Sequence, residues 1–294
     1  MKFFLRRSLL IAFVLTAGAV LAQRRWGGGE GAPVGNPRTA REVESHSTGT
    51  PMWTNETRFK RDVFTFARLH YSSGGHHGRW GGGPGVWHTD FPDSDLNLSY
   101  RLQQMTSMKV DPDARVLYIT DKELFDYPWV YIVEPGGLQF TDAEVPILRK
   151  YLLNGGFLMI DDFWGDSEWA NMENEMRRVF DDRNFEELPL EHELYHCVFE
   201  IKEKGQCPNV WLGERSQYDP LHRTAESNHD GDTRTVHHRV IKDDQGRIMV
   251  IACHNTDNGD GWEREGEYEY YFKNFSEKIA YPLGVNIIFY AMTH

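Results

Sequence analysis

Carboxylates recur where this chain could do chemistry. Asp90 closes a Trp87-His88-Thr89-Asp90 stretch, and Asp121 directly follows the apolar run 115–120. Asp161 and Asp162 directly follow the run 157–160, and His254, Asn255 and Asp257 follow the run 247–253. Carboxylate and imidazole groups converging on one edge bind a hard metal or act as acid and base. The plainer reading of each Asp is the N-cap of the next helix or an Asx turn. The pair Asp161 and Asp162 is more suggestive, because two neighbouring carboxylates raise one pKa or demand a cation. Candidate catalytic residues are therefore Asp90, Asp161, Asp162 and His254. Candidate ligands of a divalent metal are Asp90, Asp121, Asp161, Asp162, His254 and Asp257. Candidate contacts for a partner are Trp87, His88, Trp164, Trp262 and Glu263.

Other patterns point less far. The Gly-rich stretch 74–85 (GGHHGRWGGGPG) is permissive enough to cradle a phosphate, but it lacks the spacing of either nucleotide fingerprint and reads as a mobile lid. His70, His76, His77 and His88, walled by Trp80 and Trp87, have the donors of a transition-metal site, although histidines clustered in a loop arise easily by chance. Residues 228–232 (NHDGD) and 255–263 (NTDNGDGWE) resemble calcium loops without the EF-hand pattern. Solvated acidic turns are their default reading, with an irregular calcium site as the alternative. Where a nucleophile elbow would fall, after residue 160, the chain has Asp161 and Asp162 instead of a thiol or hydroxyl.

The elements that must position these groups alternate along the chain. Run 63–71 (VFTFARLHY) is short and β-prone, and runs 115–120, 129–133 and 157–160 are short, apolar and rich in β-formers, as strands covered on both faces are. Between them, residues 94–108 carry Leu96, Leu98, Leu102, Met105 and Met108 on one helical face. Thr141 and Glu144 form a capping box for a helix that stops at Gly155 and Gly156, and residues 167–180 form a third helix. Residues 236–241 and 247–253 flank a turn at 243–246, which predicts an antiparallel hairpin. Residues 276–292 predict a closing helix interrupted at Pro282 and Gly284. The expected class is α/β: a flavodoxin-like, doubly wound, mostly parallel sheet with a C-terminal hairpin and closing helix.

At the N-terminus, Lys2, Arg6 and Arg7 precede an apolar run 8–21 and small residues up to Ala22, the order of a secretory signal peptide cleaved after Ala22. The run is short for a membrane span, so an uncleaved anchor is the alternative. The expected division is a signal peptide at 1–22, a disordered linker at 23–61 and one domain at 62–294, periplasmic or secreted. Loss of three positive charges with the peptide moves the formal charge from -12 to -15. Such a chain lacks the basic footprint for nucleic acid, leaving a protein or a glycan as partner, and a membrane only through an uncleaved anchor. Cys197 and Cys207 could bridge if residues 202–205 form a hairpin turn, whereas Cys253 reads as a buried thiol.

Several stretches together resemble one bacterial family, domain of unknown function 4159. They are Arg68 to Tyr71, WHTDFPDSDLN from Trp87, Arg101 to Thr106 and Leu124 to Tyr131, followed by GGFLMIDD from Gly155, LPLEHELYHC from Leu188, His254 to Glu263 and LGVNIIFYAMTH from Leu283. The resemblance spans about residues 62–294. It implies a fold like that of class I glutamine amidotransferases and flavodoxin, and it marks Asp90, Asp161, Asp162, His254 and Glu263 as recurrent polar positions. The expectation is a non-catalytic binding or scaffolding domain without the amidotransferase nucleophile; the alternative is a hydrolase using the Asp/His cluster, with or without a metal.

Overall fold

The computed structural model describes residues 33, 35–57, 62–73 and 86–294. The chain divides into Met1–Pro33 and a compact unit, Val34–His294. The expected signal peptide and the Gly-rich stretch with His76, His77 and Trp80 lie outside the described residues.

Within the compact unit the apolar runs become β1 (Ala67–His70), β3 (Arg115–Tyr118), β4 (Trp129–Val133), β6 (Phe157–Asp161) and β9 (Ile248–His254), with β8 (His237–Lys242) paired to β9. Short strands β2 (Ser72–Ser73) and β5 (Leu138–Gln139) pair with each other, and β7 (Glu186–Glu187) borders β8. The seven-stranded order is β3-β1-β4-β6-β9-β8-β7. The first five strands are parallel, β8 runs antiparallel to β9, and β7 in turn runs antiparallel to β8. Counting only parallel strands, the order is that of a flavodoxin-like sheet, with its topological switch between β1 and β4. β4 and β6 are buried at every position, which explains why they read as unbroken apolar runs.

The helices are α1 (Asp93–Met105), α2 (Glu144–Leu153), α3 (Gly165–Val179), α4 (Val210–Ser216), α5 (Asn258–Glu263), α6 (Glu269–Tyr271) and α7 (Tyr281–Thr293). α1 packs on α7 and α2 on α3. The Thr141 and Glu144 side chains bond to each other's backbone N–H, and Gly155 leaves α2 at φ +103, where a side chain would be strained. The expected break in the closing helix is absent. A π-helical stretch, Phe272–Ala280, runs directly into α7, and Pro282 falls in the first α-turn, where the helix changes from π to α hydrogen bonding.

One expectation is corrected, and one alternative that spacing left open is decided. Residues 35–57 are not a disordered linker but lie against the sheet edge and α1. Arg38 O accepts from Val116 N, Ala40 is fully buried, Arg41 Nε donates to Pro112 O, and Asp93 accepts from Ser45 Oγ and His46 N. Composition missed this because the segment is held by polar contacts to the edge strand, not by hydrophobic periodicity. Nor do Cys197 and Cys207 bridge. Both thiols are free, no hairpin joins them, Cys197 Sγ donates to Asn286 O, and Cys207 Sγ lies 3.4 Å from Tyr271 Oη.

Candidate functional site: a buried carboxylate cluster

Three adjacent parallel strands end in the same way. Glu134, Asp162 and Asn255, the first residues past β4, β6 and β9, have φ of 47°, 55° and 62°, and Asp90 at the entry to α1 has φ of 62°. Left-handed backbone outside glycine is strained, least so for Asp and Asn, and it turns the chain sharply off the sheet. These turns bring carboxylates from separate loops together. One oxygen each from Asp90, Asp162 and Asp257 lies within 4.8 Å of the others, and Asp90 meets Asp260 and Glu263 within the same limit. Relative exposures are 4 %, 8 % and 4 % for Asp90, Asp162 and Asp257.

Each member is held from below. Arg68 lies fully buried on β1, pairs with Asp95 on α1, and donates through Nη1 to Trp87 O and Thr89 O, fixing the turn that carries Asp90. Asp90 O in turn accepts from Ser94 N at the start of α1. The Asp162 carboxylate accepts from Trp164 Nε1 at 3.0 Å. Asp257 caps α5, its Oδ1 accepting from Asp260 N at 2.7 Å. Gly259 lets Asp90 come close, because a Cβ there would run into the Asp90 carboxylate and the Tyr131 hydroxyl.

Burial and mutual repulsion act in one direction. Asp162 is pushed well above the usual carboxylate range by burial and then by Glu134, Asp90, Glu226 and Asp161. Asp257 is raised likewise by burial and by Asp162, Asp260 and Asp90. Asp161 has a different part. Its oxygens accept from Asn258 Nδ2 and N, Gly259 N and Tyr131 Oη, tying β6 to the start of α5. Burial still lifts it to about 6, against those four hydrogen bonds. Buried like charges this close retain protons or hold a cation. An all-oxygen set suits a hard divalent ion such as Ca²⁺, Mg²⁺ or Mn²⁺ rather than a thiophilic metal.

Of the sequence candidates, the structure gathers Asp90, Asp162 and Asp257, with Asp161 beneath them and Glu263 beside Asp90. It does not bring in the other two. Asp121 accepts from Tyr118 N and pairs with Arg38 at 2.7 Å, at the far edge strand. His254 Nε2 donates to Gly165 O and its Nδ1 faces Arg239 Nη1, while burial lowers its pKa to about 4 and leaves it neutral. The aromatic candidates are also corrected. Trp87, Trp164 and Trp262 are buried, Trp87 between His70 and Phe91, and Trp262 against Gly284 and Tyr131. Glu263 is buried and pairs with Arg264 at 2.7 Å. His88 is half-buried with its ring edge-on to Trp87. Among the described residues, no metal-binding group includes a histidine. The sequence reading missed Asp260, Asn258 and Gly259. Two signals covered them, the calcium-loop likeness of residues 255–263 and the three-residue spacing of Asp257 and Asp260, a capping pattern at the start of a helix.

A flavodoxin-like sheet with carboxylates gathered past three of its strands defines an α/β domain whose site lies at the carboxyl ends of its strands, beside the topological switch. The chain belongs to the family described as domain of unknown function (DUF4159), whose model matches residues 65–292. No curated protein matches it. No helix among the described residues is long and apolar enough to cross a membrane.

Proposed function

We propose that this is an exported, non-catalytic binding domain on an amidotransferase-like sheet without a nucleophile, in which one divalent cation held by Asp90, Asp162 and Asp257 locks the strand-end loops into a partner-binding form. The observation that carries the reading is the meeting of three nearly buried carboxylates within 4.8 Å of one another. The diversion of the His254 imidazole to Gly165 O removes the acid that a hydrolytic scheme would use. A cation relieves the repulsion and joins three loops that otherwise push apart. Partner contact then falls to exposed rings such as Trp211 and Tyr218, at 64 % and 82 % exposure, which suit a protein or glycan surface. Export is supported by the order of charge, apolar run and small residues in the first 22 positions.

The test is thermal unfolding of EDTA-treated protein with and without Ca²⁺, Mg²⁺ or Mn²⁺. A cation at a hundredfold excess over its Kd stabilises by about 2.7 kcal/mol, raising Tm by roughly 5–10 °C for a domain of this size. In Asp162→Asn the cation response disappears, while the metal-free protein gains on the order of 1 kcal/mol because a repelling charge is gone. Equal Tm values for wild type with and without every cation would exclude the bound ion. One observation favours the hydrolytic alternative: Asp162 stands on a strained strand-to-helix turn. Cation-dependent cleavage of an ester, phosphoester or glycoside by wild type, abolished in a folded Asp162→Asn, would replace the binding reading with that one.

A further inference from the structure

We propose that residues 223–230, flanked by His222 and Gly231, form a lid closed over the carboxylate cluster and latched to the start of α3 by His229 and Asp230, so that the latch governs cation exchange. The inference deepens the cation reading and rests on it for its functional meaning. α4 and β8 are joined by residues 217–236 without regular structure, a length that in compact domains is characteristic of functional loops. Both flanking residues have left-handed backbone, His222 at φ 44° and Gly231 at φ 71°.

The latch is compact. His229 Nδ1 lies 3.1 Å from Glu168 Oε1 on α3, and its Nε2 lies 3.2 Å from Glu226 Oε2 within the loop. Asp230 accepts from Ser167 N at 3.1 Å and from Ser167 Oγ at 2.7 Å, and Asp230 O accepts from Asp166 N at 3.2 Å. Close backbone approach completes the contact, since a Cβ on Gly165 would strike Asp230 O and one on Gly231 would strike the Asp166 carboxylate. The cluster lies directly behind this latch. Trp164 sits between them, its ring centroid 6.5 Å from that of His229 and its Nε1 on Asp162 Oδ1. Glu226 is close enough to be among the charges that raise Asp162. Opening the lid breaks the His229 and Asp230 contacts, and with them the bonds from Thr224 Oγ1 to Gln206 Oε1 and from Asn209 Nδ2 to Glu226 Oε1, and uncovers the Trp164 side of the site, which gives the loop two discrete states.

Two measurements on the full chain test this. Terbium, a hard all-oxygen ion, is bound and then stripped with excess EDTA while tryptophan-sensitised luminescence is followed. His229→Ala and Ser167→Ala are each expected to release terbium about tenfold faster than wild type, the effect of losing hydrogen bonds to charged groups. Hydrogen exchange gives a readout that needs no metal: residues 223–230 should exchange as one unit, faster in both variants, with β8 and β9 unchanged. Terbium binding with equal release rates in all three proteins overturns the lid as a gate. Exchange of 223–230 only together with β9 overturns it as a moving unit. Cooperative exchange of the segment without any terbium binding supports the lid and removes the cation reading instead.

Discussion

Arg68 uses all five of its N–H donors inside the protein, on Asp95, Ser94 Oγ, Trp87 O and Thr89 O, with Tyr131 and Phe91 rings beside the guanidinium. Both partners of the Arg68–Asp95 pair are fully buried. Removing one leaves a charge without compensation, so Asp95→Ala is expected to cost about 3–5 kcal/mol in urea unfolding, and Arg68→Met in the same chain to recover much of it. A loss below about 1 kcal/mol would mean that water reaches Arg68. A second expectation at this scale concerns pH. Burial, and then Lys204, lowers His238 to about 3, and its Nδ1 is bonded to Tyr195 Oη. The unfolded chain takes up a proton on this residue near pH 6.5, whereas the folded chain does not until about pH 3. Stability is therefore full above pH 6.5 and is lost as pH falls through that window. Unfolding free energies at pH 7 and pH 4.5 should differ less in His238→Asn than in wild type; an unchanged difference assigns the acid sensitivity to other groups.

α5 owes its place to its first turn, where Asp257 caps it and Asp161 receives the N–H groups of Asn258 and Gly259. That arrangement brings the backbone of Gly259 against Asp90. Alanine normally stabilises a helix relative to glycine by up to about 1 kcal/mol. Here Gly259→Ala is expected to destabilise by about 1–3 kcal/mol, because its methyl group displaces Asp90 or Tyr131. Cation affinity should fall with it in a titration followed by unfolding. Stabilisation instead would show that the Asp90 carboxylate moves aside freely. The same element shows what local sequence conveys: NTDNGDGWE reads as an acidic turn, and only the neighbouring β6 makes it an anchored helix.

At the scale of the whole molecule, the segment 35–57 closes an exposed edge. β3 is the outermost parallel strand, and Arg38 O takes the Val116 N–H that would otherwise face water, while Trp53 Nε1 and Asn55 Nδ2 bind Val110 O. A chain beginning at Asp62 is therefore expected to unfold at lower temperature and to aggregate more readily than one beginning at Gly35, as a bare strand edge does. Equal Tm and solubility of the two would show that these contacts contribute nothing net. How much was legible in advance differs with range. The apolar runs, the Thr141 capping box and the 243–246 hairpin turn are short-range patterns, and each forms as read, as does the mixed α/β sheet they imply.

The sequence by itself determined which loops carry acid, since an Asp directly after a strand needs only local order to be recognised. It could not determine which of those acids meet. Strand order decides that: β1, β4, β6 and β9 are consecutive, so the loops after β1, β6 and β9 that carry Asp90, Asp162 and Asp257 converge, while β3 lies beyond β1 and carries Asp121 away to Arg38. Register decides the rest. Ile160 pairs with Ala252, so the next step along both strands sets Asp161 beside Cys253, and His254, one residue further, turns to the opposite face, toward Gly165 and Arg239. Alternation thus separates the imidazole from Asp161, whereas Asp162, level with His254 in register, is carried away from it by the left-handed turn just past β6, which brings its carboxylate to Asp90 and Asp257.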